Sequence, residues 1–152
     1  MLRLFTGESS MMLKLFYTVF CIFSLAIGAW MLFFPLSWYW HLPAAIPHTG
    51  SYNAHFVRDV GVAFIVAGLG FGWCATHLDR CRPVHWGLTT FFSGHALIHV
   101  ADILTGRLPD THWLIDAPGV FAPAVILIVL AVPSLRKHLG EPTRASPSKQ
   151  DF

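Results

Sequence analysis

Histidines and aspartates recur at helical spacing inside two apolar stretches of this chain. His55 and Asp59 stand four residues apart in the first stretch, and the second carries His95, His99 and Asp102. Residues three or four positions apart lie on the same face of a helix. Ionisable side chains in such apolar segments are costly to bury in lipid and mark candidate functional sites. These residues are therefore the first candidates for chemistry.

Metal binding is the first chemistry that this pattern indicates. Neutral imidazole and carboxylate oxygen are ordinary ligands of iron, zinc, copper and manganese, and two histidines one helical turn apart can chelate a single ion. The predicted ligands are His55, Asp59, His95, His99 and Asp102, with Asp116 as a further candidate. Because positions 95 and 102 lie about 10 Å apart along a helix, one ion would not use both. Either one of the two residues supports a ligand without contacting the ion, or two ions are bound. We predict a metal-binding or metal-dependent redox or enzymatic site for a small or lipidic substrate.

Other interpretations of the same residues stay open. The aspartates can accept hydrogen bonds from the histidines, which would make an interhelical clasp or a proton relay. With a clasp, the protein would be a non-catalytic accessory subunit whose polar residues hold the bundle together. Haem or quinone binding is a further alternative, although carboxylates beside the histidines disfavour haem. Whether the protein is an enzyme is left open.

The remaining polar residues carry weaker signals. Asp116 precedes Ala-Pro-Gly and suits the N-cap of the following helix. The histidines at 41, 48 and 112 fall in connecting loops, where we expect solvated side chains, and His85 is expected near a membrane interface without a role. The three cysteines have neither a CxxC pair nor zinc-ligand spacing.

Composition defines the class of protein that must position these residues. Of the 152 residues, 55% are hydrophobic and only 12% are charged, and the mean hydropathy is +0.57. This balance is typical of an integral membrane protein, for which the lipid bilayer is the first partner. The formal net charge of +2 is too small to indicate nucleic acid as a partner.

Four apolar segments reach the length needed to cross a bilayer, roughly 20 helical residues. They cover about 13–34, 54–77, 84–104 and 117–132. We therefore predict an all-α fold, an integral membrane four-helix bundle that forms one domain over residues 1–133. A polar tail at 134–152 is predicted to be disordered and cytoplasmic. The first segment is expected to be retained rather than cleaved as a signal peptide, and Met11 and Met12 allow a later start.

The orientation follows from the basic residues. With both termini inside, only Arg58 and Arg107 of the ten lysines and arginines fall outside, which is the bias expected of a cytoplasmic membrane protein. We predict a multi-pass protein of the bacterial inner membrane, N-in and C-in, with the polar residues in its outer half. Glycines at 61, 68, 72 and 94 would let the second and third helices approach closely. The aromatic loop at 35–53 would cover the polar centre, where a lipidic or quinone substrate enters laterally.

One stretch carries a family resemblance. Residues 58–64, Arg-Asp-Val-Gly-Val-Ala-Phe, open the second segment of a chain with four short-looped helices. This arrangement resembles the DoxX-like and similar small four-helix proteins of the bacterial inner membrane. The resemblance implies a membrane redox complex as context, and hence a membrane-protein partner beside the alternative of a homo-oligomer. The run from His95 to Asp102 is not part of the resemblance, which therefore implies no ligands.

Overall fold

The computed structural model describes residues 2–131, with side chains from residue 10 onward. Within that range the chain is helical and forms no strand, so the all-α prediction is confirmed. The helices are α1 (Leu2–Phe33), α2 (Pro35–His41), α3 (Ala54–Thr76), α4 (Arg82–Leu104), α5 (His112–Ile115) and α6 (Ala122–Leu130). A 3-10 turn covers Ile46–Thr49 and a π-helical turn covers Ala117–Phe121. The predicted tail at 134–152 lies outside the described residues.

The predicted segments correspond to α1, α3, α4 and the π turn with α6, and α1 begins earlier than expected. Two helical stretches are long and apolar enough to cross a bilayer, Ser10–Phe33 and Ala54–Thr76. Helix α4 has 23 residues, but its imidazole, hydroxyl and carboxylate groups lower its hydropathy. Helix α6 has only 9 residues. Length and composition thus identify two candidate membrane helices where the sequence predicted four.

Helices α1 and α3 form the most closely packed pair. A Cβ atom on Gly28 would lie 2.7 Å from the backbone oxygen of Gly61, and one on Gly68 would lie 2.8 Å from Cγ of Leu25. Small residues at these positions allow the two backbones to approach. Gly61, Gly68 and Gly72 of α3 were expected to bring it close to α4, and they face α1 instead. Gly94 of α4 has no atom within 4 Å of such a Cβ.

Aromatic and aliphatic side chains fill the centre of the bundle. Tyr17, Phe71, Phe92 and Leu127 come from α1, α3, α4 and α6, and at most 2% of each is exposed. Polar groups are buried beyond this core at both ends of the bundle. We call the end formed by residues 34–53 and 105–121 the loop end, and the end where residues 77–81 join α3 to α4 the hairpin end.

Candidate functional site

A cavity of about 630 Å³ lies at the loop end of the bundle. Its walls come from α1 to α4, from the 42–51 segment and from residues that follow α5. Most of the lining is apolar or aromatic, including Phe23, Met31, Trp38, Phe64 and Ile98. The 42–51 segment lines the cavity, as expected of the loop that was predicted to cover the polar centre.

One wall of this cavity is polar. His95, His99, Asp102 and Asp116 contribute to it. Oδ2 of Asp116 accepts hydrogen bonds from Nδ1 of His99 at 2.8 Å and from Nδ1 of His112 at 2.9 Å. The side chain of Asp116 is only 1% exposed, that of His112 is fully buried and that of His99 is 15% exposed. A single buried carboxylate therefore joins two imidazoles, and Nε2 of the cavity-lining His99 has no hydrogen-bond partner among the described side chains.

The local sequence explains why Asp116 is placed here. His112 and Asp116 are four residues apart on the single turn of α5, so both side chains lie on one face. The following π turn contains Pro118, and the amides of Val120 and Phe121 both donate to the backbone oxygen of Asp116, at 2.8 and 3.2 Å. Such π turns are frequent at functional sites. Asp116 occupies the N-cap position of this turn, as expected, but its side chain makes no capping hydrogen bond.

A third histidine extends this hydrogen-bonded group to the surface. The 3-10 turn places Nδ1 of His48 at 3.0 Å from Nε2 of His112. His48 is exposed, whereas His112 is buried. Tyr39 donates a hydrogen bond from its hydroxyl to the backbone oxygen of Gly50 at 2.7 Å, which holds this segment against α2. The expectation that His112 is a solvated loop residue is therefore wrong.

The predicted ligands on α3 lie elsewhere. His55 and Asp59 are 3.4 Å apart, and their side chains are 88% and 63% exposed. At about 100° per residue, Asp59 lies about 160° around the helix from Gly61, which faces α1, and about 140° from Phe64, which contacts α4. These two residues therefore point away from the bundle. We predicted that the face of α3 with His55 and Asp59 meets α4. The face of α3 that turns inward is instead the one that carries Gly61 and Phe64.

The predicted ligands on α4 do line the cavity. The rings of His95 and His99 are 4.8 Å apart, while Asp102 pairs with Arg107 at 3.3 Å. Within residues 2–131, no three His, Cys, Asp or Glu side chains are grouped so that they could hold a metal ion. The structure therefore brings together His95, His99 and Asp116 of the predicted set, and metal binding stays a prediction.

A separate buried polar group lies at the hairpin end. His85 is 1% exposed, and its Nε2 donates to the backbone oxygen of Leu127 at 3.1 Å. Its Nδ1 must then accept from the hydroxyl of Tyr17, at 2.9 Å, because a neutral imidazole has one donor and one acceptor. His85 thus links α1, α4 and α6. Sequence spacing did not predict this contact, since its one signal is a histidine one turn before Thr89 in α4.

The chain matches no known protein family, no curated protein and no solved structure. Its function is therefore inferred from its own residues and their contacts.

Proposed function

We propose that this protein is a membrane-embedded helical bundle that binds a lipid-soluble molecule with a carbonyl or hydroxyl head, of the quinone and quinol class. The observation that carries the proposal is the loop-end cavity, which is mainly apolar and has a polar wall formed by His95, His99, Asp102 and Asp116. Small-molecule sites typically have volumes of roughly 300–1,000 Å³, apolar walls and a few polar groups that orient the ligand. The cavity of about 630 Å³ fits this description.

The outer surface of the bundle supports a position in lipid. Large apolar side chains are exposed on each of the four main helices, including Leu15 (64%), Leu69 (62%), Leu97 (67%) and Val129 (54%). Apolar surface of this extent is typical of contact with a membrane or a partner. The polar residues His85 and Thr89 of α4 are buried, as expected when a polar membrane helix turns these groups inward. We therefore place α4 and α6 in the membrane beside α1 and α3, with the cavity in the outer half of a bacterial inner membrane.

The polar wall suits proton-exchanging ligands. Asp116 accepts the Nδ1–H of His99, so Nε2 of His99 is a hydrogen-bond acceptor for a ligand hydroxyl. If the hydroxyl proton moves to Nε2, the imidazolium that forms is stabilised by the carboxylate of Asp116. Nε1 of Trp38, a residue of the cavity wall, is buried without an acceptor among the described residues. A ligand carbonyl would satisfy this donor.

Equilibrium binding of decylubiquinone and decylubiquinol to the full chain, purified in detergent, tests the proposal. We expect saturable binding that His99→Ala weakens by about tenfold, the equivalent of one lost hydrogen bond. Val60 lines the cavity, whereas Val62 is 48% exposed on the same helix. Val60→Phe should therefore reduce binding and Val62→Phe should not. Equal binding by these two variants, or no saturable binding at all, would reject the site.

A transition-metal centre on His95 and His99 is the second candidate function. It is favoured by the adjacent positions of the two rings, 4.8 Å apart on the cavity wall. Elemental analysis of chain purified with added iron, zinc, copper or manganese should then show stoichiometric metal. His95→Gln and His99→Gln should lose it, and the exposed-site variant His55→Gln should keep it. Equal metal contents in all three variants would reject this candidate. If neither ligand nor metal binds, the result favours an accessory subunit whose polar residues hold the bundle together.

A further inference from the structure

We infer that His48, His112, Asp116 and His99 form a proton path between the surface of the loop end and the cavity. The inference rests on the proposed ligand site, because His99 is its polar end. Consecutive members are joined by hydrogen bonds of 3.0, 2.9 and 2.8 Å. These are ordinary distances for nitrogen and oxygen partners. The path crosses from the 3-10 turn to α5 and then to α4.

The burial of the four residues changes in order along the path. His48 is exposed to water, His112 is fully buried, Asp116 is 1% exposed, and His99 reaches the cavity. The cavity wall includes His99 and Asp116 but neither His48 nor His112. The path therefore runs behind the wall and not through the mouth of the cavity. A ligand that fills the cavity would leave this connection to water intact.

The chemistry of the members distinguishes a path from a clasp. An imidazole can take up a proton on one nitrogen and release a proton from the other. Both nitrogens of His112 are hydrogen-bonded, one to Asp116 and one to His48. A clasp between α4 and α5 needs only the bonds to Asp116. The additional bond to an exposed histidine connects the buried group to solvent.

A complete transfer can be written with one proton. A ligand hydroxyl protonates Nε2 of His99, and the Nδ1 proton of His99 passes to Asp116. The proton of the Asp116 carboxyl passes to Nδ1 of His112. This step requires the tautomers of His112 and His48 that carry the proton on Nε2, and it returns His112 to the tautomer that donates from Nδ1 to Asp116. The Nε2 proton of His112 passes to Nδ1 of His48, and Nε2 of His48 releases a proton to water. One proton leaves the ligand, one enters the solvent, and no electron is transferred.

Neighbouring titratable groups have contacts of their own. The ring of His95 packs against that of His99 on the same helix. Asp102 pairs with Arg107, at the end of α4. Tyr39 of α2 donates its hydroxyl proton to the backbone oxygen of Gly50. The hydrogen bonds of Asp102 and Tyr39 therefore involve none of the four residues of the path.

The test measures exchange of the histidine ring protons with solvent by NMR, on full chain labelled with [15N]histidine and reconstituted in nanodiscs. Saturating decylubiquinone fills the cavity, so that water reaches His99 through the path. We expect His48→Phe to slow exchange at His99 and His112 by about tenfold, equivalent to about 1.4 kcal/mol in the barrier. Decylubiquinone affinity should stay within about twofold, because His48 does not line the cavity. His41, which is exposed and bonded to the backbone oxygen of Ser37, supplies the matched control His41→Phe.

The direction of the change separates the path from a purely structural bond. If His48 only pins its segment over the bundle, His48→Phe loosens that segment, and exchange becomes faster. Faster or unchanged exchange in His48→Phe would overturn the path, while retained quinone binding would leave the proposed function standing. If decylubiquinone does not bind the wild-type chain, the proposed function fails. Exchange on ligand-free protein is then measured at His112, which does not line the cavity: slower exchange in His48→Phe supports the path, and faster or unchanged exchange overturns it.

Discussion

At the residue scale, Asp116 determines the properties of the site. One of its carboxylate oxygens serves two imidazoles, from α4 and from α5. A buried carboxylate is tolerated only when hydrogen bonds replace its water. The two imidazoles supply these hydrogen bonds, and the carboxylate in turn keeps the proton of each ring on Nδ1. The orientation of His99 toward a ligand and the attachment of α5 to α4 therefore depend on the same residue.

Replacing Asp116 should consequently be destabilising. Asp116→Ala leaves two imidazole donors without an acceptor, and each unsatisfied buried group costs about 1–3 kcal/mol. We expect the free energy of unfolding in detergent to fall by at least about 2 kcal/mol. Asp59→Ala is the control, because Asp59 is 63% exposed and such surface changes usually stay within about 0.5 kcal/mol. Similar losses in the two variants would contradict the assigned roles.

At the element scale, the packing of α1 against α3 decides which residues of α3 face inward. The close approach at Gly28 and Gly61 leaves space for backbone but not for a side chain. This contact turns His55 and Asp59 to the outside. The connection through α5 and the π turn has the opposite effect, because it folds Asp116 and His112 inward.

Alanine substitutions at two glycines test this packing. A Cβ on Gly28 would lie 2.7 Å from a backbone oxygen, and one on Gly94 meets nothing within 4 Å. Gly28→Ala should therefore lower the free energy of unfolding by about 1–3 kcal/mol, as overpacking does. Gly94→Ala, inside α4, should be neutral or stabilising by up to about 1 kcal/mol, since alanine is the better helix former. Thermal unfolding in the same detergent measures both, and a larger loss for Gly94→Ala would refute the packing described.

At the scale of the whole molecule, both longer connections meet at one end. Residues 34–53 and 105–121 together form the loop end, so His48 contacts His112 across 64 residues of sequence. The compact connection at 77–81 forms the other end. The cavity, its polar wall and the path to the surface are consequently all on the same side of the proposed membrane.

The orientation of that side can be measured with introduced cysteines. In a chain freed of its native cysteines, Ser51→Cys and Thr111→Cys lie at the loop end and Asp79→Cys lies at the hairpin end. The charge bias places the loop end outside. We expect an impermeant thiol reagent to label positions 51 and 111 in intact cells, and position 79 only after lysis. Labelling of position 79 alone in intact cells would invert the orientation and move the site to the cytoplasmic face.

The sequence alone was sufficient for the features that depend on local pattern. Apolar length predicted where the main helices lie, and two helical stretches, Ser10–Phe33 and Ala54–Thr76, are long and apolar enough to cross a bilayer. The histidines of α4 were singled out because imidazoles one turn apart share a helix face, and His95 and His99 do line the cavity. Asp116 entered only as a further candidate, since an aspartate before Ala-Pro-Gly is also the pattern of an N-cap.

Tertiary structure alone decided which polar residues meet. Helical periodicity shows that His55 and Asp59 share a face, but the partner of that face depends on how α3 packs. Gly61 and Gly68 of α3 pack against α1. The contact of His48 with His112 has no spacing signal, because it joins two connections far apart in sequence. Local pattern is set by neighbouring residues, whereas such contacts depend on how the helices pack and how their connections cross the end of the bundle.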